Sequence, residues 1–161
     1  METQLIIGVM GGGSASAADI QAAYQLGALI AKQGWMLLNG GRNAGIMEAS
    51  AKGARDHGGI TVGILPDDTA RRASRFIQIP ILTGMGDARN YINVLTSHIV
   101  VACPGGAGTI SEIALALKNN KQVILMNFDT GEIFDGYRTK GLLYAVNTPE
   151  EVIDTINSLI G

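Results

Sequence analysis

Residues 104–112 read Pro-Gly-Gly-Ala-Gly-Thr-Ile-Ser-Glu, a glycine-rich turn with a carboxylate at its far end. Between a strand and a helix, such a turn is a ready anion seat. A helix N-terminus leaves several backbone N–H groups unpaired and carries about half a positive charge. Glycine lets a ligand approach the backbone and permits the turns that aim several amides at one point. Three more turns share this character, at residues 11–13, 40–45 and 84–86. The side chains placed to act beside them are Glu112, Arg89 just beyond Gly86, and Arg42 within the second turn. A carboxylate orients or activates water, and a guanidinium clamps a phosphate with two parallel hydrogen bonds. A single glycine turn is equally well explained as a tight bend from strand to helix. Four on one edge of a sheet point to a phosphorylated, nucleotide-sized ligand.

The elements that must hold these turns alternate along the chain. Apolar-rich runs at 4–9, 35–38, 60–65, 76–82, 98–103 and 122–126, with a candidate seventh at 141–146, predict strands, the first without polar alternation as expected of a parallel strand covered on both faces. Helical spacing follows at about 17–33, 45–57, 87–95, 110–119 and 149–160, the last with Thr148 as its N-cap. Strands alternating with helices over short connections predict a doubly wound, mainly parallel sheet of six to seven strands with helices on both faces. The expectation is a single Rossmann-like α/β domain over residues 1–161. All four glycine turns then fall at the carboxyl ends of strands, where such sheets bind ligands.

Composition narrows the function. With 161 residues, 47% hydrophobic and 16% charged, the chain is globular, and its net charge of −2 gives no general pull toward nucleic acid or anionic lipid. Arg71, Arg72 and Arg75 form the one basic cluster, read as a surface loop able to cover an anionic ligand. The single cysteine, Cys103, allows neither an internal disulfide nor a thiolate zinc cluster, and no protein-ligated metal is expected. With a first strand from residue 4 and no apolar run of membrane-spanning length, the reading is a cytoplasmic protein. A dinucleotide fingerprint is missing because Asn39 and Gly40, not an acidic residue, close the second strand. No Walker-type Gly-Lys-Ser/Thr is present.

Each candidate also has a structural explanation. Thr109-Ile110-Ser111-Glu112 has the form of a capping box, as does Thr148-Pro149-Glu150-Glu151. Arg89 opposes the helix dipole in a first turn, so a bound anion or an acidic partner such as Glu112 is its expected reason. Arg42 suits a phosphate or open solvent equally. Cys103 reads mainly as a small buried strand residue, and His98 and His57 read as structural. The helix at 17–33 is apolar nearly all round, which predicts a symmetric homo-oligomer.

The segment 104–112 matches the PGGxGTxxE signature of the Lonely Guy phosphoribohydrolases and their relatives, long mislabelled lysine decarboxylases. Gly40-Gly41-Arg42-Asn43-Ala44-Gly45-Ile46-Met47 resembles that superfamily's second glycine loop. Within it, the chain most resembles the short molybdenum cofactor carrier proteins, through residues 7–11, 34–42, 84–93 and 112–118. The carrier resemblance implies binding without turnover of the molybdenum cofactor, a phosphorylated pterin that brings its own metal. It also implies molybdoenzymes as recipients, no nucleic acid or membrane partner, and a dimer or a tetramer of dimers. The phosphoribohydrolase resemblance implies instead cleavage of a nucleoside 5′-monophosphate into base and ribose 5-phosphate, with Glu112 and Arg89 as catalytic residues. There the superfamily's Arg-Lys pair is Arg89-Asn90 in this chain, a departure that weighs against the enzymatic reading. Single-strand DNA binding by a related Rossmann family is opposed by the charge balance, and no lysine is placed for pyridoxal phosphate chemistry. Turns and resemblance together assign ligand binding to Gly11, Gly12, Gly13, Gly40, Gly41, Arg42, Gly84, Gly86, Arg89, Gly105, Gly106, Ala107, Gly108, Thr109 and Glu112.

Overall fold

A computed structural model of the chain describes residues 3–161. Among them are seven strands: β1 (Ile6–Met10), β2 (Met36–Asn39), β3 (Thr61–Leu65), β4 (Ile79–Leu82), β5 (Ile99–Ala102), β6 (Gln122–Met126) and β7 (Leu143–Val146). They form one sheet in the order β4-β3-β2-β1-β5-β6-β7, and every pairing is parallel. The helices are α1 (Ala17–Lys32), α2 (Gly45–Asp56), α3 (Arg89–Thr96), α4 (Ala107–Lys118), α5 (Asp135–Thr139) and α6 (Pro149–Ile160). A short 3₁₀ turn at Gly86–Ala88 leads into α3.

The inner strands lack polar alternation because both sheet faces are covered there, whereas the edge strand β4 has the same apolar composition but is exposed at all four residues, against the expectation of cover on both faces. In β5, Ile99 and Val101 pack with residues of α1, α2 and α6, whereas Val100 and Ala102 pack with residues of α3 and α4. The doubly wound expectation holds. Successive strands run outward from β1 to β4, and the chain then returns to lay β5 against the other side of β1. The carboxyl ends of β1 and β5 therefore border the crevice where the winding reverses.

Local chemistry accounts for the element limits. The last helix starts at Pro149 behind a capping box in which Thr148 Oγ1 accepts from the Glu151 amide and Glu151 Oε2 accepts from the Thr148 amide. The fourth strand is shorter than its apolar run because Phe76 and Ile77 form a turn against Ser74. The five-residue helix α5 was not expected, being too short to show a period.

Helices α1 and α2 touch backbone to backbone. A Cβ on Gly27 would lie 2.0 Å from the Ser50 carbonyl oxygen, and one on Gly53 would lie 1.9 Å from that of Tyr24. Residues Ala23, Leu26 and Ile30 enter the core, and Gly27 and Ala28 are buried too. Much of the apolar breadth of α1 is thus spent inside the chain, while Ala22, Leu29 and Ala31 stay partly exposed. Exposed large apolar side chains occur elsewhere, on β4 (Ile79, Ile81, Leu82) and at Met85, Tyr91 and Leu95.

The helix contact generates a stability prediction. Gly53→Ala gains helix propensity but drives a methyl into an immovable carbonyl, for a net loss of about 2–3 kcal/mol. Urea denaturation at neutral pH checks this; an unchanged midpoint would contradict the close packing of α1 on α2.

Candidate functional site

The crevice holds a pocket of about 240 Å³. The loops after β1, β2 and β5 and the helices α3 and α4 line it, with Gly11, Gly12, Gly13, Gly40, Gly106 and Gly108 among the lining residues. Two hydrogen bonds through Gly12 tie these loops together. Its amide donates to the Pro104 carbonyl and its carbonyl accepts from the Ile46 amide, each at 3.0 Å.

The glycines divide by what surrounds them. A Cβ on Gly105 would stand 2.8 Å from the Gly12 nitrogen and 2.2 Å from Thr109 Oγ1. One on Gly45, which also has φ +52°, would stand 2.1 Å from the Gly12 oxygen. These positions are glycine because backbone meets backbone. At Gly106 a Cβ would meet nothing within 4 Å, and at Gly13 and Gly108 it would meet one atom each, at 4.0 and 3.9 Å. The protein itself does not fill the space above them. Helix α4 begins there, with Gly106 as N-cap and no side-chain cap, so the amides before the first helical bond (Ile110 to Gly106 O, 3.0 Å) have no helical acceptor, and Gly106, Gly108 and Thr109 line the pocket.

This start corrects the capping-box expectation for Thr109 and Glu112. Helix α4 begins three residues before the expected position, which places Thr109 inside the first turn, 4% exposed. The Glu112 carboxyl turns instead toward α3, where Oε2 accepts from Asn93 Nδ2 at 2.9 Å.

Arg89 opens α3 with its guanidinium buried beside Gly40, where a Cβ would lie 2.7 Å from Nη2. Its Nη1 donates to Asn90 Oδ1, and its Nε is buried without a partner. Among the described residues the ion pairs are Arg42–Asp67, Lys52–Asp56 and Arg138–Asp135, so Arg89 and Glu112 share the pocket without pairing. Burial pulls the Arg89 pKa below the ordinary arginine value, against the attraction of Glu112. Burial likewise pushes Glu112 up to about 7, opposed by the Asn93 hydrogen bond and the Arg89 charge. Near neutral pH the pocket therefore holds a cation, a half-protonated acid and a row of free amides.

Not every sequence candidate reaches this space. Gly41, with φ +80°, packs behind it against Gly63, and Gly105 is wedged below Thr109. Arg42 bonds to Asp67 at 3.3 Å and does not line the pocket. Gly84 and Gly86 form the exposed turn into α3, with φ +61° and +59° and amides bonded to Asp67 O and Pro66 O. Ala107 faces a neighbouring groove. Arg71, Arg72 and Arg75 are exposed, and the Arg75 guanidinium lies 4.8 Å from the Phe76 ring centre. Asn39 closes β2 by accepting from the Gly41 amide and donating to Met47 O. Residue-type reasoning missed Asn93 as a site residue. It lies one helical turn beyond Arg89, and that i, i+4 spacing was the available signal.

Cys103 is completely buried in the core, and burial pushes its thiol up to about 12. His98 Nδ1 accepts from the Ile6 amide at 2.9 Å, a structural contact.

Two predictions arise. The raised Glu112 pKa means its contribution to stability is intact below about 4.5 and is lost as pH rises through about 7. Glu112→Gln removes that cost, so the variant should match the parent at pH 4 and exceed it by about 3 kcal/mol at pH 8. Denaturant titrations at the two pH values decide; a pH-independent difference contradicts the buried acid. Cys103 should resist a thiol-reactive dye in native protein and react fully in guanidinium. Rapid native labelling would show that the β5 core opens.

Two solved structures and one sequence relative are similar to this chain. A molybdenum cofactor binding protein from the phototrophic bacterium Rippkaea orientalis superposes with a TM-score of 0.94 at 47% identity, covering 100% of both chains. The molybdenum cofactor carrier protein of Chlamydomonas reinhardtii superposes with a TM-score of 0.90 at 38% identity, over 98% of this chain and 99% of that one. A cytokinin riboside 5′-monophosphate phosphoribohydrolase of Mycobacterium tuberculosis is 35% identical over 77% of this chain and 71% of its own. Residues 4–153 match the family model of the SLOG cluster4 family. With the glycine loops, the switch-point pocket and full-length likeness to the cofactor carriers in agreement, the chain belongs to the SLOG cluster4 family.

Proposed function

We propose that this protein holds molybdenum cofactor as cargo, with its phosphate on the amides that begin α4 and beside Arg89. The observation that carries the reading is the open space above Gly106 and Gly108, facing a buried guanidinium whose Nε has no partner. A fixed cation and unpaired amides suit an anion that arrives with its charge already formed. The full-length likeness to cofactor-binding carriers supports the choice of guest. At about 240 Å³ the pocket is smaller than the ~300–1,000 Å³ that encloses a whole drug-sized ligand. It takes the phosphate end, and the pterin extends into the adjoining groove of Met85, Tyr91, Ala107 and Leu115, which shares Asp87, Asn90 and Gly108 with it. Roles for Gly11, Gly12, Gly13, Gly40 and Thr109 follow from this placement. Delivery to molybdoenzymes in the cytoplasm by a homo-oligomer completes the proposal.

A second reading has its own observation. Glu112 and Arg89, the two residues a phosphoribohydrolase needs, line the same pocket, and a carboxyl with a pKa of about 7 is poised as a general acid or base. Asn90, bonded to Arg89 and Ser111, stands where that chemistry has lysine, which favours cargo over substrate.

The deciding experiment has two arms. Protein purified from a cofactor-producing host should release, on denaturation and oxidation, a fluorescent pterin at a stoichiometry near one per chain. Apo protein mixed with AMP should release no adenine. Absence of pterin together with adenine release that is lost in Glu112→Gln would replace the carrier reading with the enzymatic one.

A further inference from the structure

Two ionisable groups of opposite sign are buried in one small pocket, yet they do not bond to each other. Arg89 is 9% exposed and Glu112 is 6% exposed. Buried charges normally pair, because an isolated charge out of water is costly. The residue that holds the carboxyl is Asn93, which is fully buried. It stands one helical turn after Arg89 on α3, and its Nδ2 holds Glu112 Oε2 at 2.9 Å. Its Oδ1 is buried without a partner, as is Arg89 Nε. A carboxylate in place of that amide would attract the guanidinium, and an apolar side chain would leave the Glu112 carboxyl no neutral donor to hold.

We propose that Asn93 is a positioning residue that holds the Glu112 carboxyl away from Arg89, so that the guanidinium, bonded to the neutral Asn90, keeps its charge unpaired for the incoming anion. An amide suits the task because it donates to the acid while carrying no charge to compete for the cation. Arg89 Nη2, beside Gly40 in the pocket lining, is then the donor left for the ligand. The inference rests on the reading that the pocket receives a phosphate group.

Inorganic phosphate is the probe, with binding measured by calorimetry at pH 7.5 on the parent protein, Asn93→Leu, Glu112→Gln and the double variant. Leucine has the branching and heavy-atom count of asparagine without its polar atoms. In Asn93→Leu the released carboxylate closes on Arg89, and phosphate affinity should fall at least about tenfold, the scale of one charge-assisted hydrogen bond. Adding Glu112→Gln removes the competing charge, and the double variant should return to within about threefold of Glu112→Gln alone. A merely structural role predicts a loss that Glu112→Gln does not rescue, and that result overturns the proposal. An Asn93→Leu variant that binds phosphate as the parent does overturns it as well. Should Asn93→Leu not fold, Asn93→Ser and its double with Glu112→Gln carry the same comparison. Parent protein that binds no phosphate defeats the phosphate reading and this inference with it; parent protein that binds, with the wrong variant pattern, defeats this inference alone.

Discussion

The pair of hydrogen bonds through Gly12 is the constraint on which the site depends. One residue of the first loop donates to the loop after β5 and accepts from the first turn of α2. These segments are far apart in sequence, and each brings a glycine where its neighbour's backbone would collide with a side chain. With the three loops locked, the start of α4 cannot move relative to β1, and its free amides keep one direction. A site built this way needs no loop ordering to take a guest, which avoids the entropy that a flexible site would lose.

The second feature of the molecule is the cost it carries at this spot. A cation and a carboxyl buried without direct pairing, with Arg89 Nε and Asn93 Oδ1 also unpartnered, lower the stability of the free protein. The rest of the fold tolerates that cost because its core is continuous on both sides of the sheet. Perturbed groups gathered in a cleft are what a binding or catalytic site looks like physically. A buried cation and a carboxyl of raised pKa are groups that suit either holding an anion or cleaving a glycosidic bond. Asn90 and Asn93, both amides on α3, bond to Arg89 and to Glu112 respectively.

Much of the architecture was legible because strand and helix periods are local. The limits of β6 and α6 match expectation to the residue, since an apolar run and a capping box need no distant partner to be recognised. The apolar breadth of α1 was legible too, but its cause was not. Burial between sheet and helices inside one chain and burial against a second chain leave the same composition, and Gly27 facing Gly53's helix is visible only once the helices are packed. Thr109 and Glu112 show the same limit. A Thr-x-x-Glu pattern fits a cap until the helix is seen to begin at Ala107.

The sequence by itself determined the glycine turns, their place after strands, the parallel doubly wound sheet and the presence of Arg89 and Glu112 in segments that face one edge. These follow from spacing along the chain and from the few ways such segments pack. Tertiary structure alone decided which glycines serve backbone contact and which leave room for a guest, that Arg42 is taken by Asp67, and that Asn93 holds Glu112. Those outcomes depend on distances between residues tens of positions apart, and on the loss of water around them. Neither quantity is written in the order of residues.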